Sequence, residues 1–149
     1  MTGYSNGYNA YKKASVTTAS QGKLVVMLYE AAVSKLEYAR DLIDDDGKIV
    51  PSQIENFGNA MQKVEDIIME LQVSLDMDNG GEIAKNLMAL YVYFNKELVS
   101  ATISHDKKKI SFILDMLSQL HDSWVTAANS NANAGKNSAE DRPALNIMG

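Results

Sequence analysis

The histidines of this chain, His105 and His121, are the side chains whose charge changes most readily near neutral pH. Phosphoryl transfer through a histidine in a helical bundle uses an exposed His in mid-helix, a Lys three residues later and then a Gly. Lys108 follows His105 at this spacing, but Lys109 replaces the Gly and His105 falls at a predicted helix junction. We therefore expect a capping or loop histidine. A histidine phosphotransfer domain using His105 remains an alternative function from a different class.

A metal site is the second kind of chemistry to consider. Dinuclear sites in helical bundles need Glu-x-x-His pairs, but Thr and Ser stand three residues before His105 and His121. A calcium-like segment begins at Asp76, yet its fifth position is Gly80 and its twelfth is Leu87, where Glu is required. There is no Cys, no phosphate-binding loop and no nucleophilic triad. The sequence predicts no metal, no cofactor and no catalytic residues.

Composition narrows the possible partners. The 149 residues carry a net charge of −5, whereas a nucleic-acid-binding protein would present a basic face. No apolar run is long enough to span a bilayer, and the N-terminus lacks the apolar core of a signal peptide. We expect one domain in the cytoplasm, with no nucleic acid partner and no membrane insertion.

Hydrophobic periodicity predicts four long helices, because apolar residues recur at intervals of three and four. Capping boxes are predicted at Thr18 with Gln21 and at Ser52 with Glu55. The expected helices lie near residues 20–43, 52–75, 81–103 and 106–128. Short connections between them predict an all-α fold, an antiparallel up-and-down four-helix bundle.

The third predicted helix is the most apolar around its circumference. Its main stripe comprises Ile83, Leu87, Leu90, Phe94 and Leu98. Further apolar residues, such as Val92, Tyr93 and Val99, lie off this stripe. Such a helix is either enclosed by other helices or keeps one face for a partner.

The two ends of the chain differ from the bundle in composition. Residues 1–15 and 129–149 are rich in Gly, Asn and Ser, so we predict flexible terminal segments around a bundle domain at 16–128. Tyr4, Tyr8 and Tyr11 follow an i, i+4, i+7 spacing, which would place the three rings on one face of a helix.

Several motifs, in order and at characteristic spacing, give the chain a resemblance to the flagellar secretion chaperones of the FliS family, from about Tyr11 to Trp124. The N-terminal motif comprises Tyr11, Val16, Thr18-Ala19-Ser20 and Met27-Leu28-Tyr29-Glu30. The central motifs comprise Ile68, Leu71, Leu75 and Asp76, and then Ile83-Ala84-Lys85-Asn86-Leu87-Met88-Ala89-Leu90-Tyr91-Val92-Tyr93. The departures are Gln21 for the usual Pro, Ala31 for Gly and Val92 for a frequent Asp.

The resemblance implies a cytoplasmic chaperone that is not an enzyme. Such a protein would bind the C-terminal segment of flagellin one to one, prevent premature polymerisation and deliver it to the flagellar type III export apparatus. The implied cargo-binding residues are Leu24, Met27, Leu28, Tyr29, Asn86, Leu87, Leu90, Tyr91, Tyr93 and Phe94. Tyr4, Tyr8 and Tyr11 are expected to cap the empty groove. A bundle adaptor for another client is the alternative within binding proteins.

Overall fold

The computed structural model describes residues 18–137 and confirms the all-α prediction, since four helices pack against one another. We number these helices in chain order. They are α1 (Thr18–Asp41), α2 (Ile54–Ser74), α3 (Gly81–Ser104) and α4 (Lys107–Asn137). The predicted limits are accurate to within about two residues, except that α4 continues past 128 to Asn137. Alanines at positions 127, 128, 132 and 134 favour this continuation, because alanine has the highest helix propensity.

The core consists mainly of the predicted stripes. Two of the residues that hydrophobic periodicity places inward on α1 and α2 are not buried: Leu28 is partly exposed, and Ile54, the first residue of α2, is 47% exposed. The other inward residues are buried: Val25, Ala32, Leu36, Ala39, Ile43, Phe57, Met61, Val64, Ile68, Leu71 and Leu75. In α3 the buried positions differ from the expected stripe, because Ile83 is 50% exposed. The fully buried face of α3 comprises Ala84, Tyr91, Phe94, Leu98 and Ala101.

The predicted capping box at Ser52 and Glu55 is wrong. A short 3₁₀ helix, Pro51–Gln53, precedes α2, and no side chain caps the first residues of α2. The backbone N–H of Gln53 bonds to the carbonyl of Val50 at 2.8 Å. Because this turn satisfies the backbone and Pro51 sets its start, the Ser52 side chain stays exposed and unused as a cap.

A tight loop joins α1 to the 3₁₀ helix. Ile43 and Ile49 form an isolated antiparallel bridge, and both are buried. The carboxylate of Asp44 accepts hydrogen bonds from the backbone N–H groups of Asp46 and Lys48, each at 2.9 Å. Gly47 adopts φ 79°, a conformation that glycine accommodates without strain.

The connection from α2 to α3 is a hydrogen-bonded turn. Asp76 accepts hydrogen bonds from the backbone of Asp78 and from the backbone and side chain of Asn79. The bonds from Asn79, the largest contributions, hold the pKa of Asp76 below its usual value. Asp76 therefore organises the turn through these hydrogen bonds. No group of three or more potential metal-ligating side chains occurs within the described residues.

Only two residues separate α3 from α4. His105 ends α3 in a left-handed conformation with φ 57°, and its ring meets that of Phe57 edge-on at 5.2 Å. The Asp106 carboxylate then accepts the backbone N–H of Lys109 at 3.0 Å and caps α4. His105 is therefore a capping residue, as predicted, and this contact with α2 fixes the turn.

The helices are not equally spaced around the bundle. α1 packs extensively against both α2 and α4, whereas α3 packs mainly against α2 and much less against α4. α1 and α3 consequently lie diagonally across the core. Within the described part of the chain, no helix has the length and hydropathy required to cross a membrane.

Candidate binding surface

Two tyrosines meet in the centre of the bundle. The hydroxyls of Tyr29 on α1 and Tyr91 on α3 are 2.6 Å apart, and both side chains are fully buried. Burial raises the pKa of Tyr29 to about 12, although hydrogen bonding with Tyr91 and Trp124 opposes the rise. Burial raises the pKa of Tyr91 still further, helped by its interaction with Tyr29. Both phenols therefore stay neutral at physiological pH, and their hydroxyls are hydrogen-bonded to each other inside the core.

The structure does not gather all ten predicted cargo-binding residues on one surface. Tyr29, Tyr91 and Phe94 belong to the core, so they lie beneath the surface. Met27 is 60% exposed on α1, diagonally opposite α3. Leu24 and Leu28 are half-buried on the same helix. The predicted positions that share a surface are Asn86, Leu87, Leu90 and Tyr93 on α3.

α3 and α4 pack together only loosely, and helical register places apolar side chains of both helices along this seam, which we interpret as an apolar groove. Its residues are either exposed or only partly covered, and they continue outward from the hydrophobic core. We call this surface the α3–α4 groove, formed by Ile83, Leu87, Leu90, Tyr93, Phe112, Met116, Leu120 and Ala127.

Helical register places these residues opposite one another. Lys109 of α4 contacts Glu97 of α3, which fixes the level at which the two helices meet. Leu90 lies seven residues before Glu97, and Met116 lies seven residues after Lys109. Because the helices are antiparallel and seven residues make two turns, Leu90 and Met116 face each other about 10 Å from this contact.

A polar clasp closes the groove at the α3–α4 turn. The Lys109 ammonium lies 3.1 Å from the Glu97 carboxylate and donates a hydrogen bond to the Ser100 hydroxyl at 3.2 Å. Lys107 donates to the carbonyl of Ile43 at 2.7 Å, which ties the start of α4 to the end of α1. Lys107 and Lys109 are therefore partly buried and paired, whereas Lys108 is exposed.

A second apolar strip follows the outer side of the α2–α3 seam. The Gln72 amide donates to the Met88 sulfur at 3.5 Å, and the Asn95 amide donates to the Glu65 carbonyl at 3.4 Å. Exposed apolar residues beside these contacts, by helical register, are Met69, Val73, Val92, Val99 and Ile103. Val92 extends this strip rather than the α3–α4 groove.

The second histidine has a structural environment. His121 on α4 reaches Glu30 on α1 at 3.1 Å and the neighbouring Asp122 at 3.3 Å. It therefore bridges two helices at the surface, with no hydroxyl or thiol nucleophile among its hydrogen-bond partners. Neither histidine belongs to a catalytic arrangement within the residues that the structure describes.

Sequence reasoning missed the α4 wall of the groove. Phe112 is 52% exposed, and it lies off the inward stripe that periodicity predicts for α4, which comprises Ile110, Ile113, Leu117, Leu120 and Trp124. An apolar residue off the inward stripe indicates an exposed side chain, and this signal was available for Phe112 as it was for Tyr93 on α3. The predicted capping residues Tyr4, Tyr8 and Tyr11 lie outside the described residues, so their role stays a prediction.

An all-α bundle with apolar side chains exposed along one helix–helix seam is typical of proteins that bind a partner. Comparison with known proteins specifies the family: the model for "Flagellar protein FliS" matches residues 4–131, and the chain belongs to this family. A relative from Salmonella typhimurium, named flagellar secretion chaperone FliS, is 35% identical over 80% of this chain and 87% of its own. A relative of the same name from Bacillus subtilis is 29% identical over 84% of this chain and 88% of its own. Another from Vibrio cholerae is 30% identical over 77% of this chain and 83% of its own.

Proposed function

We propose that this protein is a cytoplasmic export chaperone that binds the C-terminal segment of flagellin one to one. Bound in this way, flagellin is kept from polymerising and is delivered to the flagellar type III export apparatus. Family membership supports the chaperone role. The groove supports the mode of binding, because an amphipathic helix presents apolar residues at i, i+3, i+4 and i+7 to such a surface.

The observation that carries the proposal is the exposure of aromatic side chains in the α3–α4 groove. Tyr93 is 41% exposed and Phe112 is 52% exposed, although a bundle of this size has enough core to bury large aromatic rings. Leu90, Met116 and Leu120 continue this surface down to the hydrophobic core. Aromatic rings flanking a continuous apolar floor are typical of interface anchors.

The groove also suits a client that is disordered on its own. A disordered segment loses conformational entropy when it folds on binding, so it needs a large apolar contact surface to compensate. Met116 is a flexible, polarisable side chain that adapts to different partner shapes. Tyr93 offers a large ring with a polar end, which tolerates both water and contact with a partner.

The test is calorimetry with a synthetic peptide of the flagellin C-terminal segment. We expect a stoichiometry of one, a negative heat-capacity change from apolar burial and a gain in helical circular dichroism. Tyr93→Asp should weaken binding at least tenfold, since interface aromatic anchors carry about 2 kcal/mol or more. Tyr38→Asp is the matched control, because Tyr38 is 47% exposed on α1, away from the groove.

The outcomes separate the candidate functions. If the peptide does not bind, the proposal is wrong and an adaptor for another client becomes the favoured function. If Tyr38→Asp weakens binding as much as Tyr93→Asp, cargo does not use the α3–α4 groove. Met27→Asp tests whether α1 contributes as predicted, and a tenfold loss there would extend the site across the bundle.

A further inference from the structure

A second apolar surface faces outward from α3, on the side nearer α2. We call it the α2–α3 strip, formed by Met69 of α2 and by Val92, Val99 and Ile103 of α3. Ile103 is 79% exposed, more than any other large hydrophobic residue that the structure describes. Val92 and Tyr93 point about 100° apart around α3, since one helical turn takes about 3.6 residues. The strip is therefore distinct from the α3–α4 groove.

Two side-chain contacts define how α2 and α3 lie alongside each other. The Gln72 amide contacts the Met88 sulfur, and the Asn95 amide contacts the Glu65 carbonyl. Seven residues separate the two contacts on each helix, as expected for antiparallel helices that lie side by side. Each position on α3 can therefore be matched with the α2 position at the same height.

This register places Gly58 of α2 within one residue of the height of Ile103. Gly58 lies on the outer side of α2, toward α3, and a Cβ added there would meet nothing within 4 Å. Gly58 therefore leaves a hollow beside the strip, while Ile103 projects from it. One chain thus carries, at one height, a protruding apolar side chain and a hollow that fits such a side chain.

The two edges of the strip carry opposite charges. Lys96 is exposed on the α3 edge, and Asp66 is exposed on the α2 edge at nearly the same height. Neither forms an ion pair with another described residue, and Lys63 lies farther around α2, toward α1. Burial and then repulsion from Asp66 raise the pKa of Glu65. A cation over the α2 edge would therefore stabilise these carboxylates.

We infer that two copies of this chain form a dimer through the α2–α3 strip, about a two-fold axis parallel to the two helices. This rotation places α2 of each copy over α3 of the other at unchanged height. Ile103 then fills the hollow at the partner's Gly58, and Val92 contacts the partner's Met69. Each contact occurs twice by symmetry, and the α3–α4 groove of both copies stays open.

The charges favour this axis over the alternative. With the axis along the helices, Lys96 of each copy faces the partner's Asp66, because the two residues lie at similar heights on opposite edges. A two-fold axis across the helices would place α2 against α2 and α3 against α3, so that the acidic edges meet. Opposite charges across an interface stabilise it, and like charges destabilise it.

The dimensions of the strip predict a weak dimer. From Met88 at the seam to Ile103 it extends over fifteen residues of α3, about 22 Å, and two helices side by side are about 20 Å wide. Each copy would therefore bury about 450 Å², or about 900 Å² in total, which is typical of transient complexes. We expect a dissociation constant of micromolar order.

Sedimentation equilibrium of the full-length chain over a concentration series measures this dimer. We expect a reversible monomer–dimer equilibrium. Ile103→Asp should weaken it at least tenfold, because two apolar contacts are lost in each dimer. Val50→Asp, at a loop residue that is 62% exposed, is the matched control and should have no effect. A monomer at every concentration up to the millimolar range overturns the inference.

A charge swap tests which edges meet. Lys96→Glu and Asp66→Lys should each weaken the dimer about tenfold, since two surface ion pairs are lost and like charges are brought together. The double variant should recover the affinity of the natural chain, because both edges are reversed and stay complementary. Lys35→Glu, at an exposed position on α1, is the control. A double variant as weak as the single ones places the dimer contact elsewhere and overturns the inference.

Disulfide trapping tests the arrangement independently. The natural chain has no Cys, so each introduced thiol has one defined place. A mixture of the Val92→Cys and Met69→Cys proteins should form a disulfide-linked dimer faster than either protein alone, because only the mixed pair faces across the interface. Equal rates in all three samples contradict this arrangement.

Flagellin is the competing occupant of the strip. If Ile103→Asp weakens binding of a flagellin C-terminal peptide while the natural chain stays monomeric, the strip binds cargo and the dimer is wrong. If the chain dimerises as expected but does not bind the peptide, the proposed function fails and the dimer stands.

Discussion

The buried hydroxyls of Tyr29 and Tyr91 predict a loss of folding stability above pH 10. In the unfolded chain a tyrosine releases its proton near pH 10.0, whereas burial keeps Tyr29 protonated up to about pH 12. Between these values the folded state binds more protons than the unfolded state. Stability is therefore fully present below pH 10 and falls as pH rises through this interval.

The size of the loss in folding stability follows from the rise in the tyrosine pKa values. Because the pKa of Tyr29 is about 12 in the folded state and 10.0 in the unfolded chain, its deprotonation should remove about 3 kcal/mol of folding stability by pH 12. Tyr91, whose pKa is raised further by burial and by Tyr29, adds to the slope in the same direction. A loss of this size is a large share of the stability of an ordinary domain.

The assay is urea unfolding at a series of pH values between 7 and 12. The double variant Tyr29→Phe with Tyr91→Phe removes both titrating groups, so its stability should decline distinctly less above pH 10. At pH 7 the double change should cost less than the sum of the two single changes, because both partners of the Tyr29–Tyr91 hydrogen bond are removed together, although the Trp124 N–H then loses its hydroxyl partners.

The two single variants complete a double-mutant cycle on Tyr29 and Tyr91, and a variant at an exposed tyrosine is the control. Tyr29→Phe or Tyr91→Phe alone leaves one buried hydroxyl without its partner, at a cost of about 1–3 kcal/mol. Tyr38→Phe removes a hydroxyl from an exposed ring on α1 and should keep the wild-type pH profile. Parallel decline of the wild type and the double variant between pH 10 and 12 would refute the argument.

Two further predictions concern the turns and helices that position the groove. A Cβ added at Gly80 would lie 2.5 Å from the Ala84 Cβ and 2.6 Å from the Asp76 carbonyl, so Gly80→Ala should destabilise by about 1–3 kcal/mol in urea unfolding. Gly58→Ala, in open space within α2, should instead stabilise by about 0.5–1 kcal/mol, and a loss at both sites would contradict this steric argument. Asp106→Ala removes the cap of α4 and should cost about 1 kcal/mol, whereas Asp106→Asn retains a capping oxygen and should recover most of it; equal losses in thermal unfolding would argue against capping.

Much of the fold was predictable because helical periodicity is a local property. The stripe through Val25, Ala32 and Leu36 specifies a helix and its inner face without any knowledge of the other helices. The ends of helices were harder to predict, as the wrong capping box at Ser52 shows. Several backbone and side-chain groups can accept hydrogen bonds from the first backbone N–H groups of a helix.

The candidate site was only partly predictable because it depends on the spacing between helices. Tyr91 was expected among the cargo-binding residues, but it is buried, and Tyr29 supplies its hydroxyl with a partner from 62 positions away in sequence. Phe112 was missed because a single exposed aromatic gives no local signal of the helix that it faces. Such lateral arrangements arise from packing between distant segments, which a periodic pattern does not encode.

The placement of α1 between α2 and α4 has a consequence for biosynthesis. Because α1 is synthesised first and α4 last, the side of α1 that packs against α4 stays uncovered until the end of translation. That side includes Glu30, which meets His121 of α4, together with Val26 and Val33 on the same face. A nascent chain that lacks α4 therefore exposes apolar surface of its own, and the chaperone must complete its own chain before it can shield another.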